Sequence, residues 1–153
     1  MSFLESERAR LVSLRDELFD DPGSGLYRQI PRPFVLSDPL KNLFEPVRVD
    51  ALDYFRRNQI TWWNDDGEGP TGHLLSSQIA CLNHLFFLRD KQPLASTVLN
   101  CISDELIQAE MVDDGYVEFE IVGKQNYLGE KSHHRGANAT SIDALMVGRK
   151  RDG

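Results

Sequence analysis

Cysteine is scarce: Cys81 and Cys101 are the two in 153 residues, too few for a disulfide framework. Both fall in apolar helical patterns, where a free thiol behaves as a small buried hydrophobe. Long apolar runs are missing too, and none reaches the roughly 18 residues needed to span a bilayer. The opening MSFLESERAR carries acidic residues and no apolar stretch. It therefore lacks the form of a signal peptide, and a cytoplasmic protein without membrane attachment is expected. An excess of positive charge is absent as well, with 24 acidic against 17 basic residues and a net charge of −7. A domain that coats nucleic acid by bulk charge is normally basic. A nuclease is not excluded, because its site needs carboxylates and its basic groups can cluster locally. There is no Gly-rich phosphate loop, no Gly-x-Ser-x-Gly elbow and no paired CxxC, so nucleotide-dependent transfer and serine hydrolysis have no support. Repeats and low-complexity tracts are also lacking.

What is present is an ordinary globular composition, 41% hydrophobic and 27% charged. The length fits a single domain, residues 1–153. Its texture divides into a helical part over 1–111 and a strand-rich part over 116–147, which predicts an α+β fold: a helical N-terminal half packed on a small antiparallel sheet. Ser2 and Glu5 form a capping box for a helix over 3–20. Leu4, Leu11, Leu14 and Leu18 share one stripe, with Arg8, Arg15 and Glu17 facing water. Residues 22–36, with Pro22, Pro31 and Pro33, read as an extended crossing loop. Asp38-Pro39 starts a short helix broken at Pro46. A stripe of Val49, Leu52 and Phe55 follows and ends near Asn58. Trp62-Trp63 runs into the turn Asn64-Asp65-Asp66-Gly67, either as a plug between helices or as a wall on which a base stacks. Thr71 precedes a central helix over 72–88 carrying Leu75, Ile79, Leu82 and Phe86. A further helix from Pro93 to Met111 turns Leu94, Val98, Cys101 (or Ile102) and Leu106 inward.

After the turn at Asp113-Asp114-Gly115 the pattern changes to period two. Tyr116–Val122 reads as a strand with Val117, Phe119 and Ile121 on one face and Glu118 and Glu120 on the other. A polar loop covers 123–139. Thr140–Val147 reads as a second strand, and residues 148–153 have the composition of a hairpin turn.

Four groups could carry chemistry. Asp143 interrupts an apolar strand. An ionised carboxylate there either lies on a solvated sheet face, accepts hydrogen bonds from the preceding loop, or ligates a hard cation such as Mg²⁺. Glu118 and Glu120 share a face, and antiparallel pairing would bring one of them near Asp143. Two such charges need a cation or a proton between them; the bland alternative is a solvent-facing sheet. The loop Glu130-Lys131-Ser132-His133-His134-Arg135 offers a carboxylate, two imidazoles able to act as bases near neutral pH, and a cation, or it is simply a charged surface loop. Cys81 and His84 at i and i+3 could join His133 and His134 around zinc, against the simpler reading of packed core side chains.

Three stretches together carry a resemblance. They are Ser76-Ser77-Gln78-Ile79-Ala80-Cys81-Leu82-Asn83-His84-Leu85-Phe86, then Val117-Glu118-Phe119-Glu120, then Tyr127-Leu128-Gly129-Glu130 leading to Arg135-Gly136 and Thr140-Ser141-Ile142-Asp143-Ala144-Leu145. Over roughly 60–147 the chain resembles bacterial restriction-endonuclease-like proteins of the PD-(D/E)XK nuclease superfamily. The resemblance implies a core of helix, three antiparallel strands, helix and strand. It implies a Mg²⁺- or Mn²⁺-dependent phosphodiesterase acting on DNA. Asp143 would stand at the position of the strand aspartate. Glu120 would be an accessory acid, and Glu118 or Glu130 could take that place.

The departure is that no Glu-x-Lys or Asp-x-Lys follows Asp143. On this reading the core is cut short, and a catalytically incomplete relative is expected. The alternative is a non-enzymatic helical interaction module. Two strands alone are marginal, and an open edge at 140–147 invites self-association or a strand donated by a partner.

Overall fold

The computed structural model describes residues 2–64, 67–126, 128–131, 133–136 and 139–151. Asp65, Asp66, Tyr127, Ser132, Asp152 and Gly153, named in the motifs above, lie outside the described residues. The architecture is mixed α+β with a helical N-terminal half, as expected. It falls into two compact units, Met1–Ala80 and Cys81–Gly153.

In the first unit, helix α1 (Phe3–Leu18) begins with the expected capping box. The Glu5 amide donates to Ser2 Oγ at 3.3 Å and the Ser2 amide to Glu5 Oε2 at 2.7 Å. The expected faces do not hold. Leu4 and Leu18 are exposed, and Arg15 is the buried residue of the helix. Its guanidinium donates to the Pro33 carbonyl at 2.5 Å and to Asp16 Oδ1 at 3.0 Å, so a charge with a fixed acceptor takes the place expected of leucine.

The presumed crossing loop contains a hairpin, β1 (Leu26–Tyr27) and β2 (Ile30–Pro31). Its two-residue turn places Arg28 and Gln29 at φ 52° and 64°. This is the left-handed pair that a tight hairpin demands and that Asn-Gly adopts more readily. The buried strip Phe34–Leu36 follows. The Leu36 amide donates to Gly72 O at 2.9 Å, and the amides of Gly25 and Leu74 donate to Val35 O and Phe34 O. A Cβ on Gly25 or Gly72 would meet Leu36 O at 2.2 or 2.5 Å, so only glycine permits this approach.

Asp38 caps a 3-10 turn over Pro39–Asn42. Pro46 does not break a helix but starts one, lying in the first turn of α2 (Glu45–Arg57), where a missing N–H costs nothing. The buried face of α2 is Val47, Ala51, Tyr54 and Phe55, with Val49 exposed. The stripe is therefore rotated from the one expected. Asn42, itself buried, donates from Nδ2 to the carbonyls of Thr71 and His73 at 2.8 and 3.2 Å.

The expected central helix begins five residues late, as α3 (Ser77–Leu85), and continues as a 3-10 turn over Phe86–Leu88. Residues 72–74 are withheld from it because their backbone pairs with 34–36, including a Val35–His73 bridge. Ile79, Leu82 and Phe86 are buried, as the pattern implied.

In the second unit, α4 (Gln92–Ile102) buries Ala95 and Leu99, whereas Leu94, Cys101 and Ile102 are exposed. The helix stops at Ser103, which is extended (φ −155°, ψ 127°). Leu106–Glu110, expected to be helical, is strand β3. β3 packs on α4, and the contact is closed by polar groups. Ser96 Oγ donates to Gln92 O at 2.7 Å and accepts from the Ala109 amide at 2.8 Å, and Gln92 Nε2 donates to Ala109 O at 3.0 Å. β3 pairs antiparallel with β6 (Val147–Lys150), so the supposed terminal turn is a strand. β4 (Glu118–Ile121) pairs antiparallel with β5 (Ile142–Leu145). The long second strand expected over 140–147 is thus divided at Met146 between two ribbons. The single small sheet expected is three two-stranded ones.

Candidate functional site

The site begins with the sequence of β4. Its alternation suggests a dry face and a wet face, yet Val117, Glu118, Phe119 and Glu120 are all buried, with Glu118 only 1% and Glu120 only 4% exposed. Two carboxylates two residues apart meet different surroundings. Glu118 Oε1 accepts from the Arg89 guanidinium at 2.8 Å, and its Oε2 accepts from Arg135 at 3.3 Å. Both arginines also donate to the backbone of β4, Arg89 to Val117 O and Arg135 to Phe119 O, each at 2.5 Å. Arg89 further pairs with Asp114. A buried carboxylate fixed between two guanidiniums is a structural clamp, because removing either sign would leave the other desolvated. Arg89 follows Phe86-Phe87-Leu88, and an arginine closing an apolar run is the one sequence signal that could have pointed to it.

Glu120 meets other surroundings. Its carboxylate accepts from Ser141 Oγ at 2.5 Å. The register pairs Phe119 with Ala144 and Ile121 with Ile142, so Asp143 and Glu120 occupy the positions between these pairs. Glu120 is the buried one of the two. Its backbone sits at φ 53°, a left-handed conformation that is uncommon outside glycine and costs of order 1 kcal/mol or more in a strand. Asp143 itself is exposed. Cys81 reports on the pair: burial, then the negative charges of Asp143 and Glu120, push its thiol up.

Two carboxylates on facing strands, one buried and one open to solvent, suit a hard cation that keeps several waters and is held by one or two protein acids. Among the described residues no group of three or more His, Cys, Asp and Glu side chains is gathered around one point. The Ser141 hydroxyl and the Glu120 carboxylate are joined directly, and Asp143 stands on β5, two residues after Ser141. Glu130 does a different job locally. Its carboxylate accepts from the Thr140 amide at 3.0 Å and from Thr140 Oγ1 at 2.6 Å, and these bonds hold its carboxyl below the usual range. It thereby fixes the chain just ahead of β5. His133 and His134 are exposed.

A second feature lies in the first unit. Trp62 is buried and stacks on Phe55 with ring centroids 3.9 Å apart, which is the packing role. Trp63 is 43% exposed and forms a ring cluster with Tyr27 and His73, their centroids 6.4 and 5.5 Å away. His73 was given no role by the sequence pattern. It is buried, its Nδ1 accepts from the Leu75 amide at 3.1 Å, and burial followed by the Arg8 charge pushes its pKa down.

A family model described as "Restriction Endonuclease associating with ARP" matches residues 16–152. The chain belongs to that family. No curated protein and no solved structure matches it. Among the described residues no helix is long and apolar enough to cross a membrane.

Proposed function

We propose that this restriction-endonuclease-like chain is a relative of the metal-dependent DNA phosphodiesterases of PD-(D/E)XK type, with Asp143 and Glu120 as its metal-holding carboxylates. The observation that supports the reading is the β4–β5 register, in which buried Glu120 and exposed Asp143 occupy the positions between the Phe119–Ala144 and Ile121–Ile142 pairs. Carboxylates brought close together repel unless a cation or proton lies between them. Lewis-acid polarisation of a phosphodiester and activation of its attacking water are what Mg²⁺ or Mn²⁺ supplies when bound. The chain's own residues do the positioning. Ser141 orients the Glu120 carboxylate, Arg89 and Arg135 fix β4 through Glu118, and Glu130 fixes the approach to β5 through Thr140. Glu130 is a third acid in the same proposal, entering the metal shell only by exchanging its Thr140 bonds.

DNA as substrate follows from the family, whose description also ties its endonucleases to a component called ARP; an associated partner belongs to the same proposal. Self-association or a borrowed strand remains part of it as well, since each ribbon has two strands. A folded monomer at micromolar concentration in sedimentation would overturn that part.

The decisive experiment is Mn²⁺ titration of wild type and Asp143→Asn by calorimetry, beside DNA cleavage with Mg²⁺. The expected result is weak binding that Asp143→Asn weakens at least tenfold. Equal binding, or none, in both proteins replaces the enzyme reading with an interaction module whose acids serve only solvation.

A further inference from the structure

We infer that the Tyr27–Trp63 pocket of the first unit binds an unstacked nucleobase, with Arg28 meeting its phosphate. The pocket has a volume of about 440 Å³, within the roughly 300–1,000 Å³ typical of small-molecule sites. Its wall combines the rings of Tyr27 and Trp63 with Arg28, Ser37, Asn64 and Thr71. That is aromatic surface with a few polar groups, the combination that reads a flat heterocycle.

Packing alone does not account for Trp63. Its neighbour Trp62 is buried against Phe55, whereas Trp63 stays 43% exposed although its backbone is firmly held. The Trp63 amide donates to Gln78 Oε1 at 2.9 Å, and Gln78 is itself buried and donates to Thr61 O at 3.3 Å. Asn64 then clips the following turn, donating from Nδ2 to Gly69 O at 2.6 Å and accepting the Gly67 amide. The indole is thus presented at a fixed place beside the pocket.

The opposite side is fixed at a cost. Arg28 and Gln29 hold left-handed backbone in the β1–β2 turn without a glycine. A two-residue hairpin turn requires that backbone, and it fixes where Arg28 stands beside the pocket. The turn leaves Arg28 exposed with its guanidinium 5.3 Å from the centre of the Tyr27 ring. A cation beside an aromatic wall suits a base attached to a phosphate. The choice of a nucleobase over other planar rings rests on the DNA reading above; the pocket's capacity for a planar ring does not.

The test is isothermal titration calorimetry of the full chain with deoxynucleoside monophosphates in EDTA. No metal is present and none of these probes can be cleaved, so the result is independent of Asp143 and Glu120. Saturable binding with a Kd on the order of 1 mM or tighter is expected. Trp63→Leu should weaken binding at least tenfold, and Trp63→Phe should retain most of it, which separates loss of stacking from loss of fold. Arg28→Ala should weaken nucleotides but not nucleosides. No saturable binding, unchanged affinity in a folded Trp63→Leu, or equal affinity for phenol would each overturn the inference. Nucleotide binding together with metal-independent behaviour of Asp143→Asn would keep this pocket and discard the nuclease reading.

Discussion

Both compact units bury carboxylates, and they treat them differently. In the first unit Asp21 is buried and surrounded by donors. The amides of Gly23 and Ser37 reach Oδ1 at 2.8 Å each, and the Asp38 amide reaches Oδ2 at 2.9 Å. Burial raises its pKa, but these backbone bonds outweigh it and hold the carboxyl below its usual range. In the second unit Glu118 is held by arginines, and Glu120 accepts from the Ser141 hydroxyl. The first unit thus anchors its acid with backbone amides, and the second anchors its acids with side chains that arrive from distant positions.

The largest effect that would sharpen this comparison is at Glu118. Glu118→Gln removes the charge between Arg89 and Arg135 and should cost about 3 kcal/mol, since breaking a buried pair strands its partner. Urea unfolding measures it, and a loss below about 1 kcal/mol would show that the clamp is not structural. Next comes Asp21→Asn, which should cost about 2 kcal/mol at pH 7, as hydrogen bonds to a charged group are worth more than neutral ones. Because the folded carboxyl is depressed, its contribution is complete above the unfolded value of about 3.9 and is lost as pH falls through the folded value. The wild type should therefore lose stability toward acid more steeply than Asp21→Asn, and parallel acid arms would contradict this. The smallest effect is at Asp143. Asp143→Asn relieves repulsion and should not lower stability. In a Cys101→Ser background it should speed alkylation of Cys81 at pH 8 by about two- to fivefold, because only the thiolate reacts. Mn²⁺ added to the Asp143 protein should act in the same direction. An unchanged rate in both cases would mean that Cys81 does not sense this pair.

The sequence made the local signals legible. The Ser2–Glu5 capping box, the Asp38 cap and the Ile79–Leu82–Phe86 stripe need only near neighbours, and each is where it was expected. What depended on distant partners was hidden. Leu106–Glu110 continues an apolar spacing that suits a helix, and it becomes a strand because β6, some forty residues later, pairs with it. Gly148-Arg149-Lys150 looked like a turn because charged residues are common on edge strands as well. The burial of Glu118 could not be read from alternation, because Arg89 and Arg135 arrive from 29 and 17 positions away. Arg15 taking the inward position of α1 has the same origin, its acceptor being Pro33. Of the candidate site, the antiparallel pairing of the β4 strand with the strand that carries Asp143 was foreseeable from the two period-two stretches. The pocket wall beyond Trp63 was not, since Tyr27 and Arg28 carry no motif.

The short polar bridge between α4 and β3 bears on how copies of this protein could stack. Ser96 and Gln92 occupy the amide and carbonyl of Ala109, so a helix supplies what an incoming backbone would otherwise seek at that point. At Ala109 that margin of β3 is thereby closed to an added strand.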